Sequence, residues 1–145
     1  GVHADGGGAL EVTALHSAKC LDVPSSSLAS GARIQQSLCN LGSNQRFRVE
    51  EVANGEFRVR PQNSGLCFDI PDGSTADRAP VQQYPCHNGP NQRFRVLYQA
   101  PGRYQLQNVN SGRCLDVPSA STADGVAIQQ SGCHTGANQS WVIRL

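Results

Sequence analysis

The sequence predicts an all-β protein built from three copies of one unit. Three observations carry this: a 47-residue internal repeat, period-two alternation in the apolar segments, and no helical stripe longer than ten residues.

The repeat comes first. Cys20, Cys67 and Cys114 stand 47 residues apart, and Cys39, Cys86 and Cys133 keep the same step. Sliding the chain by that step aligns Cys20-Leu-Asp22-Val-Pro24 with Cys67-Phe-Asp69-Ile-Pro71 and Cys114-Leu-Asp116-Val-Pro118. It aligns Ile34-Gln-Gln36 with Val81-Gln-Gln83 and Ile128-Gln-Gln130, and Asn44-Gln45-Arg-Phe47 with Asn91-Gln92-Arg-Phe94 and Asn138-Gln139-Ser-Trp141. No insertion or deletion interrupts the match.

Within a repeat, Leu10-Glu-Val12-Thr-Ala14, Phe47-Arg-Val49-Glu and Phe57-Arg-Val59-Arg alternate apolar with polar residues. That period places one face inward and one outward, as in a strand. Pro24, Gly31, Gly42 and their counterparts punctuate the strands, except that Arg78 replaces the glycine in the second repeat. A unit with about four strands cannot cover its own apolar face. Three such units around an axis close a barrel and remove exposed edges, whereas three propeller blades fall short of a ring. The expected fold is therefore a β-trefoil.

Composition narrows the function. A chain of 145 residues fits one domain. Its formal charge of +1 argues against a nucleic-acid partner, and its basic residues, eleven Arg and Lys19, are scattered as solvated faces. No apolar run approaches the roughly 18 residues a membrane helix needs, so no membrane insertion is expected, and no signal peptide is expected to remain. Residues 1–8, rich in glycine, are expected to be a linker or cloning remnant outside the fold, with the domain spanning 9–145.

Six cysteines suggest an oxidising, extracellular compartment. Threefold equivalence admits three identical bonds within repeats or a cyclic scheme between them. Bonds Cys20–Cys39, Cys67–Cys86 and Cys114–Cys133 would each close one short loop, worth about 3 kcal/mol on the chain-entropy model. His87 and His134 follow a cysteine, but no C-x2-C or H-x3-H pair accompanies them and Asn40 holds the place in the first repeat. Zinc is not expected, nor any cofactor.

Phe47, Phe94 and Trp141 read as core, as do Leu21, Phe68 and Leu115. Gln45, Gln92 and Gln139 read first as partners of backbone groups. Asp22, Asp69 and Asp116 differ: each lies between apolar strand neighbours, either as a turn acceptor or as the carboxylate that orients a sugar diol. A pyranose also needs an aromatic platform for its C–H face, and Tyr84 lies two residues before Cys86.

Cys-Leu-Asp-Val-Pro, Gln-Gln-x-x-Cys and Asn-Gln-x-Phe/Trp, in three copies from Leu10 to Leu145, together resemble the ricin-B lectin domain, also called carbohydrate-binding module family 13. The resemblance implies a β-trefoil with lobes α (9–54), β (55–101) and γ (102–145), each with its own disulfide. The family's Gln-x-Trp signature appears as Gln-x-Phe in two lobes. Carried over by position, the implied sugar site of lobe β is Asp69, Gln82, Tyr84, His87, Asn91 and Gln92. In lobe α the equivalents are Asp22, Gln35, Asn40, Asn44 and Gln45, with Ser37 where the ring should be. In lobe γ they are Asp116, Gln129, His134, Asn138 and Gln139, with Ser131 in the ring position. Losing a stacking ring costs on the order of 1 kcal/mol, so lobe β is the expected primary site. Arg78 sits in a turn of lobe β that glycine would suit better and reads as a surface residue.

These readings imply a non-catalytic, secreted binder of galactose-, arabinose- or xylose-type glycans or polysaccharides, monomeric. It would act as a lectin or as the appended module of a glycoside hydrolase, with a covalently linked catalytic domain as partner. The alternative is a protein-interaction or inhibitor trefoil with vestigial pockets. An enzyme is disfavoured: glycosidase carboxylates lie within roughly 10 Å of each other, whereas the repeated Asp residues are distributed around an axis.

Overall fold

The computed structural model describes residues 8–145. The linker expected over 1–8 lies, apart from Gly8, outside the described residues.

The chain forms strands joined by three-residue 3-10 turns, and the described residues contain no helix long and apolar enough to cross a membrane. The first lobe carries β1 (Glu11–Ala14), β2 (Cys20–Asp22), β3 (Gln35–Ser37) and β4 (Phe47–Ala53). The second carries β5 (Glu56–Pro61), β6 (Cys67–Asp69), β7 (Gln82–Tyr84) and β8 (Phe94–Ala100). The third carries β9 (Arg103–Asn108), β10 (Cys114–Asp116), β11 (Val126–Ala127), β12 (Gln129–Ser131) and β13 (Trp141–Arg144).

Six of these make the barrel. Antiparallel pairing runs β1–β13–β9–β8–β5–β4, and a bridge between Leu10 and Phe47 closes the ring. First and last strands of each lobe meet at the same place: Leu10 with Phe47, Phe57 with Phe94, Tyr104 with Trp141. The hairpins β2–β3, β6–β7 and β10–β12 form a cap. The fold is the β-trefoil that the repeat predicts. Each disulfide lies within its lobe, Cys20–Cys39, Cys67–Cys86 and Cys114–Cys133, which excludes the cyclic scheme.

The core lies between barrel and cap. Phe47, Phe68, Phe94 and Trp141 are fully buried, with Phe68 edge-on to Phe47 at 5.3 Å and to Phe94 at 6.5 Å between ring centroids. Burying each contributes roughly 2–3 kcal/mol. The Trp141 indole N–H donates to the Leu115 carbonyl, a polar group phenylalanine lacks, so the Gln-x-Phe lobes keep the packing without that bond.

The cap is held together by a ring of contacts between lobes. Ile34 N–H donates to the Val81 carbonyl, Val81 to Ile128, and Ile128 back to Ile34. The following residue but one in each lobe is a fully buried glutamine. The Gln36 amide donates to the carbonyls of Ser121 and Ala123, that of Gln83 to Ser27 and Ala29, and that of Gln130 to Ser74 and Ala76. Each amide oxygen accepts from a serine of its own lobe: Ser17, Ser64 or Ser111. Every lobe thus clamps a loop of its neighbour.

Beside these clamps an ion pair joins lobes α and γ, Lys19–Asp124 at 3.0 Å, and another joins lobes γ and β, Arg113–Asp77 at 2.7 Å. Between lobes α and β the equivalent positions hold Leu66 and Ser30, and the ion pairs lie instead on the barrel strands, where Glu50 meets Arg58 at 2.8 Å and Arg60 at 3.3 Å.

Replacing Gln83 with Ala strands two loop carbonyls and the Ser64 hydroxyl. A loss of about 2–4 kcal/mol in urea unfolding is expected, against well under 1 kcal/mol for an exposed glutamine such as Gln62.

The hydrogen bond from Lys19 outweighs a smaller burial effect and, with the Leu38 N–H and the Lys19 charge, holds the Asp124 carboxyl below the ordinary aspartate value of 3.8. Because the folded value is depressed, the stabilisation is complete above 3.8 and fades as pH falls through the folded value. The Tm gap between wild type and Asp124→Asn should therefore be constant near neutrality and close in acid; a gap independent of pH would contradict the pairing.

Candidate functional site

The strand Cys67-Phe68-Asp69 sends Phe68 into the core and its two neighbours to the opposite face. Its partner strand brings Tyr84 opposite Cys67 and Gln82 opposite Asp69. The same alternation divides the Gln-Gln pair: Gln82 faces the surface with Asp69, while Gln83 faces the neighbouring lobe.

Asp69 is 2% exposed, and three amides surround it. Oδ1 accepts from Gln82 Nε2 at 3.0 Å; Oδ2 accepts from Gln92 Nε2 at 2.8 Å and Asn91 Nδ2 at 3.4 Å. A buried carboxylate without such donors would be costly. Asn91 and Gln92 arrive on the 3-10 turn Pro90–Gln92. The Asn91 amide also donates to the Ile70 carbonyl, and that of Gln92 to the Pro85 carbonyl.

Gln92 is 1% exposed and its oxygen accepts the His87 N–H. It therefore lies behind the surface, holding both Asp69 and the loop that carries His87. The backbone-tying role expected of this glutamine is seen, and it also orders the carboxylate, while it does not line the depression that carries the other expected residues of lobe β.

Gly89 leads into the turn at φ −68°, a conformation open to any residue, so its requirement is space. A Cβ there would stand 2.7 Å from His87 Cε1 and 2.9 Å from Asn91 Oδ1. The Gly89 N–H donates to His87 Nδ1 at 2.8 Å. In the neutral ring the proton is then on Nε2, which lies 3.7 Å from Asp69 Oδ2.

Asp69, Asp72, Gly73, Gln82, Tyr84, His87 and Asn91 line a depression of about 340 Å³. Tyr84 stands at its rim, 44% exposed. The wall thus offers two carboxylates, two amides, an imidazole and an aromatic face. Arg78 is not on this wall; it occupies a turn at φ 68°, where its counterparts are Gly31 and Gly125, and its N–H donates to the Gln130 carbonyl.

Lobes α and γ repeat the carboxylate cage. Asp22 accepts from Gln35, Gln45 and Asn44, and Asp116 from Gln129, Gln139 and Asn138, at 2.8–3.4 Å. His134 mimics His87, with Nε2 3.8 Å from Asp116. Asn40 instead accepts the Gly42 N–H through Oδ1. Ser37 and Ser131 occupy the place of Tyr84, opposite Cys20 and Cys114.

Two wall residues, Asp72 and Gly73, were absent from the sequence-derived set. They form the turn after Pro71 and both adopt positive φ, 58° and 60°. The same turn is Ser25-Ser26 in lobe α and Ser119-Ala120 in lobe γ, again at positive φ. Only the Asp-Gly of lobe β consists of residues that tolerate this region well, and that dipeptide was the available signal.

The fold and the caged carboxylates define a three-lobed β-trefoil of lectin type. The chain belongs to the ricin-type β-trefoil lectin domain family, whose model matches residues 8–141. It is similar to the designed threefold-symmetric protein ThreeFoil, at 35% identity and a TM-score of 0.92, over 94% of this chain and 98% of that one. It is also similar to 1,3Gal43A, an exo-β-1,3-galactanase from Clostridium thermocellum, at 29% identity and a TM-score of 0.93. That match covers 96% of this chain and 30% of the enzyme. The Macrolepiota procera ricin B-like lectin, solved with lactose, shares the fold at 17% identity and a TM-score of 0.81, over 95% of each chain. No curated protein sequence gives a significant match.

Gly89→Ala should turn the His87 ring out of its place and break the Gly89–His87 bond, lowering stability by about 1 kcal/mol. Thermal melts and the His87 ring resonances report this; an undisturbed ring would show that the glycine is not required for space.

Proposed function

We propose that residues 9–145 form a non-catalytic, secreted carbohydrate-binding domain whose primary site is the depression in lobe β. The observation that carries this reading is the convergence of the caged Asp69 with Gln82, Asn91 and His87 beneath the exposed Tyr84 ring. A caged carboxylate keeps its lone pairs directed and accepts hydrogen bonds from the hydroxyls of a vicinal diol. Asn91 and Gln82 present amides to further hydroxyls, and Tyr84 supplies the flat apolar face on which the ring C–H groups stack. Gln92 positions Asp69 from behind.

The ligands are galactose-, arabinose- or xylose-type glycans. Lactose in the M. procera lectin and the galactan substrate class of the C. thermocellum enzyme both favour galactosides. The match to one part of that enzyme also supports a role as the appended module of a glycoside hydrolase. Lobes α and γ keep the cage and lack the ring, so they are weak sites. They add avidity on a polymer if the linked sites can be occupied together. The three disulfides support an extracellular setting.

Affinity electrophoresis through galactan, arabinan or xylan should retard the wild type. Tyr84→Ala should lose about five- to tenfold in affinity, the equivalent of about 1 kcal/mol of stacking, and Ser131→Tyr should strengthen retention. No binding of the wild type to any glycan would overturn the assignment.

A further inference from the structure

Asp72 is not needed to build the turn it occupies. Ser25 and Ser119 hold the same position in the other lobes at φ 54° and 55°, against 58° for Asp72. Its carboxylate makes no ion pair or hydrogen bond among the described residues, yet it lines the depression together with Asp69. The wall therefore carries two carboxylates. No Lys or Arg lines it, and His87 is the one basic side chain on it. The guanidinium of Arg93, nearby in sequence, is directed elsewhere, to Glu56 at 3.3 Å and the Asn88 carbonyl at 2.9 Å.

We propose that Asp72 makes the lobe β pocket selective for neutral sugars and closes it to uronates. The inference rests on the reading of this pocket as a sugar site. A hydroxyl can donate a hydrogen bond to Asp69; a ligand carboxylate has no hydrogen to offer and meets two like charges across a partly enclosed space. Asp72 is exposed, so its share of the repulsion is that of a surface charge, which added salt weakens. Lobes α and γ carry only the caged aspartate, so the exclusion belongs to lobe β.

The test uses sugar pairs that differ by a carboxylate: D-galactose against D-galacturonate, and D-xylose against D-glucuronate. Each is titrated near neutral pH at low salt, with the binding followed at Tyr84. Wild type should bind the neutral member about tenfold or more tightly than its uronate. Asp72→Ser, which copies the residue of both other lobes, and Asp72→Asn, which keeps the shape, should each narrow that ratio at least severalfold, and so should high salt on the wild type. Equal binding of both members by the wild type would overturn the proposal. So would a ratio that survives in both variants, because the discrimination would then be steric. Failure of both neutral and acidic sugars to bind wild type would remove the sugar-site assignment itself, and this proposal with it.

Discussion

A carboxylate that leaves water must be met by donors, and that requirement shapes each lobe. Asp22, Asp69 and Asp116 are each 4% exposed or less, and each collects three amide N–H groups. Those amides come from the partner strand and from the 3-10 turn before the core aromatic. Satisfying one buried charge therefore ties hairpin, turn and core into one register. Removing it would leave three directed donors without an acceptor, so the residue is structural in all three lobes whether or not each binds a ligand.

Much of this was legible in the chain because the repeat converts single residues into patterns. The barrel and the core aromatics Phe47, Phe94 and Trp141 follow from alternation and spacing, whereas the grouping of Asp, Gln and Asn at one site is what the family resemblance implies. The inner glutamines were not legible in the same way. Gln82 and Gln83 are adjacent and chemically identical, and only strand direction assigns one to the surface and the other to the lobe interface. Asp72 and Gly73 were missed because they vary among the repeats, and the comparison rewarded sameness. Their role depends on a positive-φ turn that spacing does not reveal.

Around the pockets, the differences between lobes fall at positions that the carboxylate cage does not use. Tyr84, Ser37 and Ser131 all stand opposite a disulfide cysteine and disturb nothing beneath them. Asp72, Ser25 and Ser119 share a backbone conformation. His87, Asn40 and His134 all accept the N–H of the glycine two residues on, through a ring nitrogen or an amide oxygen. Specificity can drift at these sites while the cage and the clamps stay constant. This separation explains how near-exact structural symmetry coexists with unequal pockets.

The inner glutamines have a further consequence. Gln130 reaches from lobe γ to the carbonyls of Ser74 and Ala76, directly after the turn that bears Asp72, and Asn110 of lobe γ holds the Gly73 carbonyl. The wall of one pocket is thus fastened by the neighbouring lobe. A lobe cut out alone would lose the anchor of its own recognition surface along with much of its core. Three copies of a single lobe, however, could supply the same anchors to one another in trans. One repeat carries the pattern, but its anchors are complete only in the closed ring of three.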